Sequence, residues 1–277
     1  MRLRSTLTVA PGDAPSDEAL ASEADALLFV LSDASRAVGA LRRSAVEGLQ
    51  AAAQAGKRAL VLVNHPRTQL LRDDLDAVVG PSCAAALLKH TSEPQDVRDA
   101  AVLLREFEYQ RDIEPGTTAV FPVIDTARGL MRAYEIAGAA PRVGGLVLDA
   151  DRYARDIAAR AEEQGPRLAY ARGLVTAAAR AIDGLPLVMG THLELRHHAQ
   201  FGFAGAIVGE VATVTIANTV FTPTDAQVAR AQALRDAYAA ARAEGLVVGR
   251  VDDEVADGSA ARRARQTLEA AGLDPET

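Results

Sequence analysis

The sequence has no tryptophan and a single cysteine, Cys83, among its 277 residues. One thiol excludes an intrachain disulfide framework, and the ordinary reading of such a cysteine is a small buried side chain. Basic side chains are in the minority, 30 against 37 acidic, giving a net charge of -7. The basic surface that a nucleic-acid partner requires is therefore not expected. No run approaches the ~18 apolar residues of a membrane span. After the basic Met1-Arg2-Leu3-Arg4, the polar Ser5, Thr6 and Thr8 and then Pro11-Gly12-Asp13 interrupt anything like a signal-peptide core. The expectation is a cytoplasmic protein that binds neither nucleic acid nor membrane. Also missing are G-x-S-x-G, the P-loop, G-x-G-x-x-G after a strand, and H-E-x-x-H, so the enzyme classes that depend on those motifs lose support.

What is present is a regular alternation. Eight short β-rich runs occur at Leu3 to Val9, Ala26 to Leu31, Ala59 to Val63, Ala84 to Leu88, Thr118 to Ile124, Gly144 to Leu148, Leu185 to Met189 and Ala204 to Val208. Most are uniformly apolar, as parallel strands covered on both faces are. Stretches rich in Ala, Leu, Arg and Glu lie between them, and Ala40 to Ala55, Glu93 to Phe107, Ala127 to Ala137 and Arg167 to Ile182 read as covering helices. The alanine run Ala84-Ala85-Ala86 suits a helix better than a strand, so in the fourth unit local propensity opposes the alternation. Strand-helix alternation repeated eight times predicts an α/β fold, a (β/α)8 TIM barrel over residues 1–221. Residues 222–277 are expected to add a C-terminal helix and a lid-like arm to the same domain. Thr222 caps that helix in this reading, with Pro223 in its first turn and Ala226 to Glu244 as its body.

A barrel gathers its chemistry where the strands end. The strand ends supply Asp33, Asn64 with His65, Lys89 with His90, Asp125, Asp149 with Asp151, Thr191 with His192, and Glu210. Each alone is an ordinary loop or cap residue; together they favour a ligand site. Asp125 and Asp151 follow adjacent strands, so their carboxylates can converge on one hard cation, magnesium being the natural choice. Such an ion holds a 2-oxo acid and stabilises the enolate formed when a carbon-carbon bond breaks. Against this, either Asp125 or Thr126 can cap the helix that begins there. Lys89 can pair with a phosphate or carboxylate, and His65, His90 and His192 raise a transition-metal alternative. His197 and His198 are expected on the surface of a helix.

The motifs add a resemblance. Arg4-Ser5-Thr6-Leu7-Thr8-Val9-Ala10-Pro11-Gly12 is similar to R-S-x-L-x-x-P-G, Ala24 to Ala34 to A-D-x-x-x-x-D-L-E-D-A, and Val63-Asn64 to R-V-N. Ile124-Asp125-Thr126-Ala127-Arg128-Gly129 is similar to I-E-T-A-R-G, and Phe221-Thr222-Pro223-Thr224 to F-x-P-S. These segments resemble the citrate lyase beta-subunit branch of the HpcH/HpaI aldolase family. The resemblance implies a (β/α)8 barrel that makes or breaks carbon-carbon bonds by Mg2+-dependent retro-aldol or retro-Claisen chemistry. Its substrate would be a 3-hydroxy-acyl compound such as a CoA thioester, or an oxo or hydroxy acid, handled by a homotrimer or hexamer. It places the magnesium ligands at Asp125 and Asp151 and has Arg4, Asn64 and Lys89 line the pocket. Asp33 and Asp252 become acid/base groups, the latter through Gly249-Arg250-Val251-Asp252, which is similar to a lid motif G-x-M-V-D; Asp253 competes for that role. Departures are equally specific. Val30, Ser32, Leu62 and Ala150 stand where the family keeps charge, and Asp125 replaces a glutamate. Gly205 to Thr213 lacks the family's G-K-x-x-I-H-P-x-Q, the segment of its usual CoA contacts. The loss of charge carries an alternative, a catalytically silent homologue that binds a ligand or serves an active partner subunit.

Overall fold

The computed structural model describes residues 2–31, 38–159, 168–191 and 193–274. Eight strands close into a parallel barrel in sequence order. They are β1 (Ser5–Val9), β2 (Ala26–Val30), β3 (Arg58–Val63), β4 (Cys83–Leu88), β5 (Ala119–Ile124), β6 (Gly145–Asp149), β7 (Leu185–Met189) and β8 (Gly205–Val208). Closure is direct, with Thr6 of β1 opposite Ile207 of β8. Nearly every strand residue is buried, because one face fills the barrel and the other meets the helices. β4 shows this context overriding propensity. Its alanines pair with β3 through Ala85 and Ala86, and with β5 through Ala85 opposite Ala119, so a helix-favouring run is held extended between two neighbours. Cys83 is buried there, and burial pushes its thiol up to about 12.

The covering helices include Val38–Gln54, Pro94–Gln110 and Ala169–Arg180. The single helix predicted over Ala127 to Ala137 is instead two short ones, Ala127–Met131 and Ala133–Ala137, meeting at Arg132. Val211–Phe221 is a further helix that β-branched residues conceal in the sequence. His198 corrects an expectation: it is fully buried on the helix Leu195–Gln200 instead of lying on the surface, and its ring packs edge-on against Phe203.

The described chain divides into two compact units, Ser5–Val220 with the barrel, and Met1–Arg4 together with Phe221–Thr277. In the second unit the helix Asp225–Ala243, a hairpin of β9 (Gly249–Val251) and β10 (Glu254–Ala256), and the helix Gly258–Ala271 enclose a small core. Ala231, Leu234, Ala256, Ala264 and Leu268 form it. The predicted cap moves by two residues. Thr224 caps the helix Asp225–Ala243 in a reciprocal box with Gln227, because Gln227 stands at the third helical position and its side chain returns to the Thr224 N–H. Thr222 instead accepts a hydrogen bond from Arg4 Nη1 at 2.8 Å.

Candidate active site

Asn64, Lys89 and Asp125 follow the carboxyl ends of β3, β4 and β5, and Asp149 ends β6. All four are buried. The cap after β5 belongs to Thr126. Thr126, not Asp125, caps the helix Ala127–Met131 by accepting from the Gly129 N–H at 3.1 Å. Asp125 is thereby released from a local role, and its two carboxylate oxygens are buried with no aligned hydrogen-bond donor among the described residues. Burial raises its carboxyl to about 6, against the opposing positive charges of Arg152 and Lys89.

Gly129 is what lets this turn approach β4. A Cβ there would lie 2.5 Å from the Thr91 carbonyl oxygen, a separation no side chain tolerates. The segment after β4 is held in turn by Thr91, whose N–H reaches Val123 O at 3.2 Å and whose hydroxyl donates to Leu88 O at 2.7 Å. Between Lys89 and Thr91, His90 takes a left-handed backbone (φ 56°), uncommon for a residue with a Cβ. Its Nδ1 lies 2.5 Å from Asp125 Oδ2.

On the far side, Asp149 caps the helix Ala150–Asp156 by accepting from Arg152 N–H at 2.9 Å. Burial again raises its carboxyl, with Asp125 and Asp151 adding repulsion. Arg152 sits one helical turn beyond Asp149, so its Nε comes to 3.5 Å from Asp149 Oδ2 while its Nη1 is 3.5 Å from His90 Nε2. The loops after β4, β5 and β6 thus build one cluster of Lys89, His90, Asp125, Asp149 and Arg152. Arg152 was not singled out in the sequence; its spacing of three from Asp149 in a first helical turn is the signal that could have found it.

Other expected residues take different places. Asn64 is bound up in the framework, its backbone N–H and side-chain amide both donating to Asp74 Oδ2, at 3.1 and 2.7 Å. His65 contacts Asp96 through Nε2 at 3.2 Å, while its Nδ1 accepts from the Arg67 N–H. Arg4 falls in the unit that holds Phe221–Thr277, where its Nη1 donates to the Thr222 hydroxyl. Leu62 is a buried residue of β3. Asp252 begins the two-residue turn between β9 and β10 with a left-handed backbone (φ 52°), and its exposed carboxylate accepts from Arg230 Nη1 at 2.8 Å. Asp33 and His192 lie outside the described residues.

These contacts bear directly on the magnesium expected at Asp125 and Asp151. Asp125 offers a carboxylate with no aligned donor among the described residues, whereas one oxygen of Asp151 is already engaged: Oδ2 accepts from the Thr191 N–H at 2.7 Å and from the Thr191 hydroxyl at 2.8 Å. Among the described residues no three His, Cys, Asp or Glu side chains form a metal-ligating group. An ion beside Asp125 would compete with an imidazole nitrogen 2.5 Å away and face the charge of Arg152. The residues present do not fit magnesium in the way the resemblance implies.

No described helix is long and apolar enough to cross a membrane. Comparison with known proteins places the architecture. The chain is 31% identical over 261 residues to the citrate lyase subunit beta of Escherichia coli (strain K12), covering 90% of this chain and 86% of that one. It is 30% identical to a (3S)-malyl-CoA thioesterase of Cereibacter sphaeroides (strain ATCC 17025 / ATH 2.4.3), covering 88% and 86%. A citrate lyase structure from Burkholderia xenovorans LB400 superposes with a TM-score of 0.72 at 16% identity, covering 99% of this chain and 93% of that one. CitE from Mycobacterium tuberculosis, solved with magnesium, acetoacetate and coenzyme A, gives 0.66 at 21% identity, with 97% of each chain covered. The HpcH/HpaI aldolase/citrate lyase family model matches residues 11–216, most of the barrel unit, and the chain belongs to that family.

Proposed function

We propose that this chain is a carbon-carbon lyase acting on a short 3-hydroxy-acyl thioester of coenzyme A, of the citryl, malyl or citramalyl kind. Relatives named citrate lyase subunit beta and (3S)-malyl-CoA thioesterase support the substrate class. The observation that carries the reading is the Asp125 carboxylate, buried at the carboxyl end of β5 without a structural role and flanked by Lys89, His90 and Arg152. A protein retains a destabilised buried charge at a strand end chiefly where function uses it.

The chemistry needs three things from the chain. A base takes the proton of the 3-hydroxyl. The C2–C3 bond then breaks, its electron pair passing to the thioester as an enolate while C3 becomes the carbonyl of a 2-oxo acid. Positive charge must stabilise the carboxylate and the developing enolate oxygen, and Lys89 and Arg152 supply it. A proton delivered to C2 completes the acetyl thioester. The resemblance assigns the proton steps to Asp33 or Asp252.

Incubation with citryl-CoA, malyl-CoA and citramalyl-CoA, followed for acetyl-CoA and the 2-oxo acid, tests the reading. Acetyl-CoA is expected from at least one of them, and Asp125→Asn should reduce its formation at least a hundredfold. The second reading, a silent homologue kept for ligand binding or for an active partner, draws support from the apolar Leu62 in β3 and from Asn64 being engaged by Asp74. Retained binding of coenzyme A without product from any of the three thioesters would establish it in place of the first.

A further inference from the structure

We propose that Asp125 serves His90 in place of a divalent ion, and that the His90 imidazole is the group that takes and returns the substrate proton in a metal-independent cleavage. The inference rests on the lyase reading above for its substrate and goes beyond it in the group it assigns.

Geometry carries the case. The Asp125 side chain is 1% exposed and that of His90 43%, so a buried carboxylate stands behind an imidazole that solvent and substrate can reach. His90 Nδ1 lies 2.5 Å from Asp125 Oδ2. The contact is not aligned as a hydrogen bond, but the soft terminal torsion of histidine lets the ring swing into line at little cost. The other nitrogen fixes the tautomer. A guanidinium only donates, so Nε2, which faces Arg152 Nη1 at 3.5 Å, presents its lone pair, and Nδ1 carries the proton toward Asp125. This is the arrangement in which a buried carboxylate orients an imidazole and stabilises it once it is charged. The left-handed backbone of His90, held just before the bonded Thr91, keeps the ring beside β5. Strained positions of this sort in a cluster of charges point to function.

The step balances without a metal. As the Arg152 guanidinium turns from Nε2 toward the substrate, Nε2 accepts the 3-hydroxyl proton, the C2–C3 electron pair moves into the thioester enolate, and the same proton is returned to C2. Asp125 stays ionised and balances the imidazolium, while Arg152 faces the negative charge that develops.

Four measurements on the full chain test this. Calorimetric titration with MgCl2 alone is expected to show no saturable heat up to 5 mM. Nitrogen-detected NMR of the histidine side chains is expected to find His90 as the Nδ1–H tautomer, unchanged by MgCl2 and altered in Asp125→Asn. Turnover in EDTA should stay within twofold of that in 5 mM MgCl2. His90→Asn, a residue that tolerates the left-handed backbone, should lower kcat at least a hundredfold with KM within threefold and with thermal unfolding retained. Saturable Mg2+ binding, a His90 resonance that moves on adding Mg2+, an Nε2–H tautomer, or an unaffected His90→Asn each overturns the proposal. If no thioester is cleaved at all, the lyase reading fails, and calorimetry and NMR still decide whether Asp125 holds an imidazole or an ion.

Discussion

Arg172 donates its Nε–H to His198 Nε2 at 3.3 Å, and both side chains are buried. Since Nε2 is the acceptor, Nδ1 holds the proton and donates to the Glu194 carbonyl oxygen at 3.0 Å. Burial, followed by the positive charge of Arg172, lowers the imidazole to about 4 from its ordinary 6.5. Below pH 6.5 the unfolded chain takes up a proton at this residue that the folded chain refuses, so stability falls as pH drops from about 6.5 to about 4. The loss is on the order of a few kcal/mol. His198→Gln keeps a donor and an acceptor and removes the titration. Urea midpoints at pH 7 and pH 4.5 should therefore differ less in that variant than in the wild type.

The same linkage acts in the opposite direction at Asp125. A carboxyl raised to about 6 from 3.8 is stable in its neutral form, so the fold loses stability as pH rises between those values. Asp125→Asn is expected to raise the denaturation midpoint at pH 8, by up to a few kcal/mol in free energy, and to leave it nearly unchanged at pH 4. A gain in stability coupled to loss of turnover is what a strained functional carboxylate gives; a variant less stable than wild type at pH 8 would assign Asp125 a structural role.

Gly129→Ala forces a methyl group against the Thr91 carbonyl, which is backbone and cannot rotate away. The expected cost is about 1–3 kcal/mol by denaturant unfolding. Because the collision lies one residue from His90, turnover should fall further than stability alone explains.

Asp74 is buried and joins Arg42 Nε at 2.9 Å to the amide of Asn64 at 2.7 Å. Asp74→Ala leaves a guanidinium and a buried amide without this acceptor and should cost about 3–5 kcal/mol. Asn64→Ala should also destabilise, by roughly 1–3 kcal/mol. An Asn64→Ala protein with wild-type stability and a raised KM would restore the substrate-contacting role that the resemblance gives it.

The barrel was legible because its signal is repetitive. Apolar runs such as Ala59 to Val63 and Leu185 to Met189 fall within a residue or so of β3 and β7, since a strand covered on both faces needs an apolar residue at nearly every position. The helix Val211–Phe221 and the buried His198 were not legible: β-branched residues and a histidine pair give no local sign of the packing that overrides them. In the site, the strand ends identified Lys89, His90, Asp125 and Asp149, and a motif singled out Asp125. What Asp125 faces was beyond the sequence, because the partners Arg152 and His90 come from other loops.

The sequence by itself determined the class of fold, the order of its strands, and the end of the barrel at which polar residues collect, all of which follow from local periodicity and chain direction. Tertiary structure alone decided the roles. Thr126 capping its helix frees Asp125, Thr191 engages Asp151, and Asp74 engages Asn64, and each depends on distances between side chains that periodicity does not encode. The contact between Asp125 and His90 is of the same kind: it exists because Gly129 lets two barrel loops approach to a separation that no other residue allows.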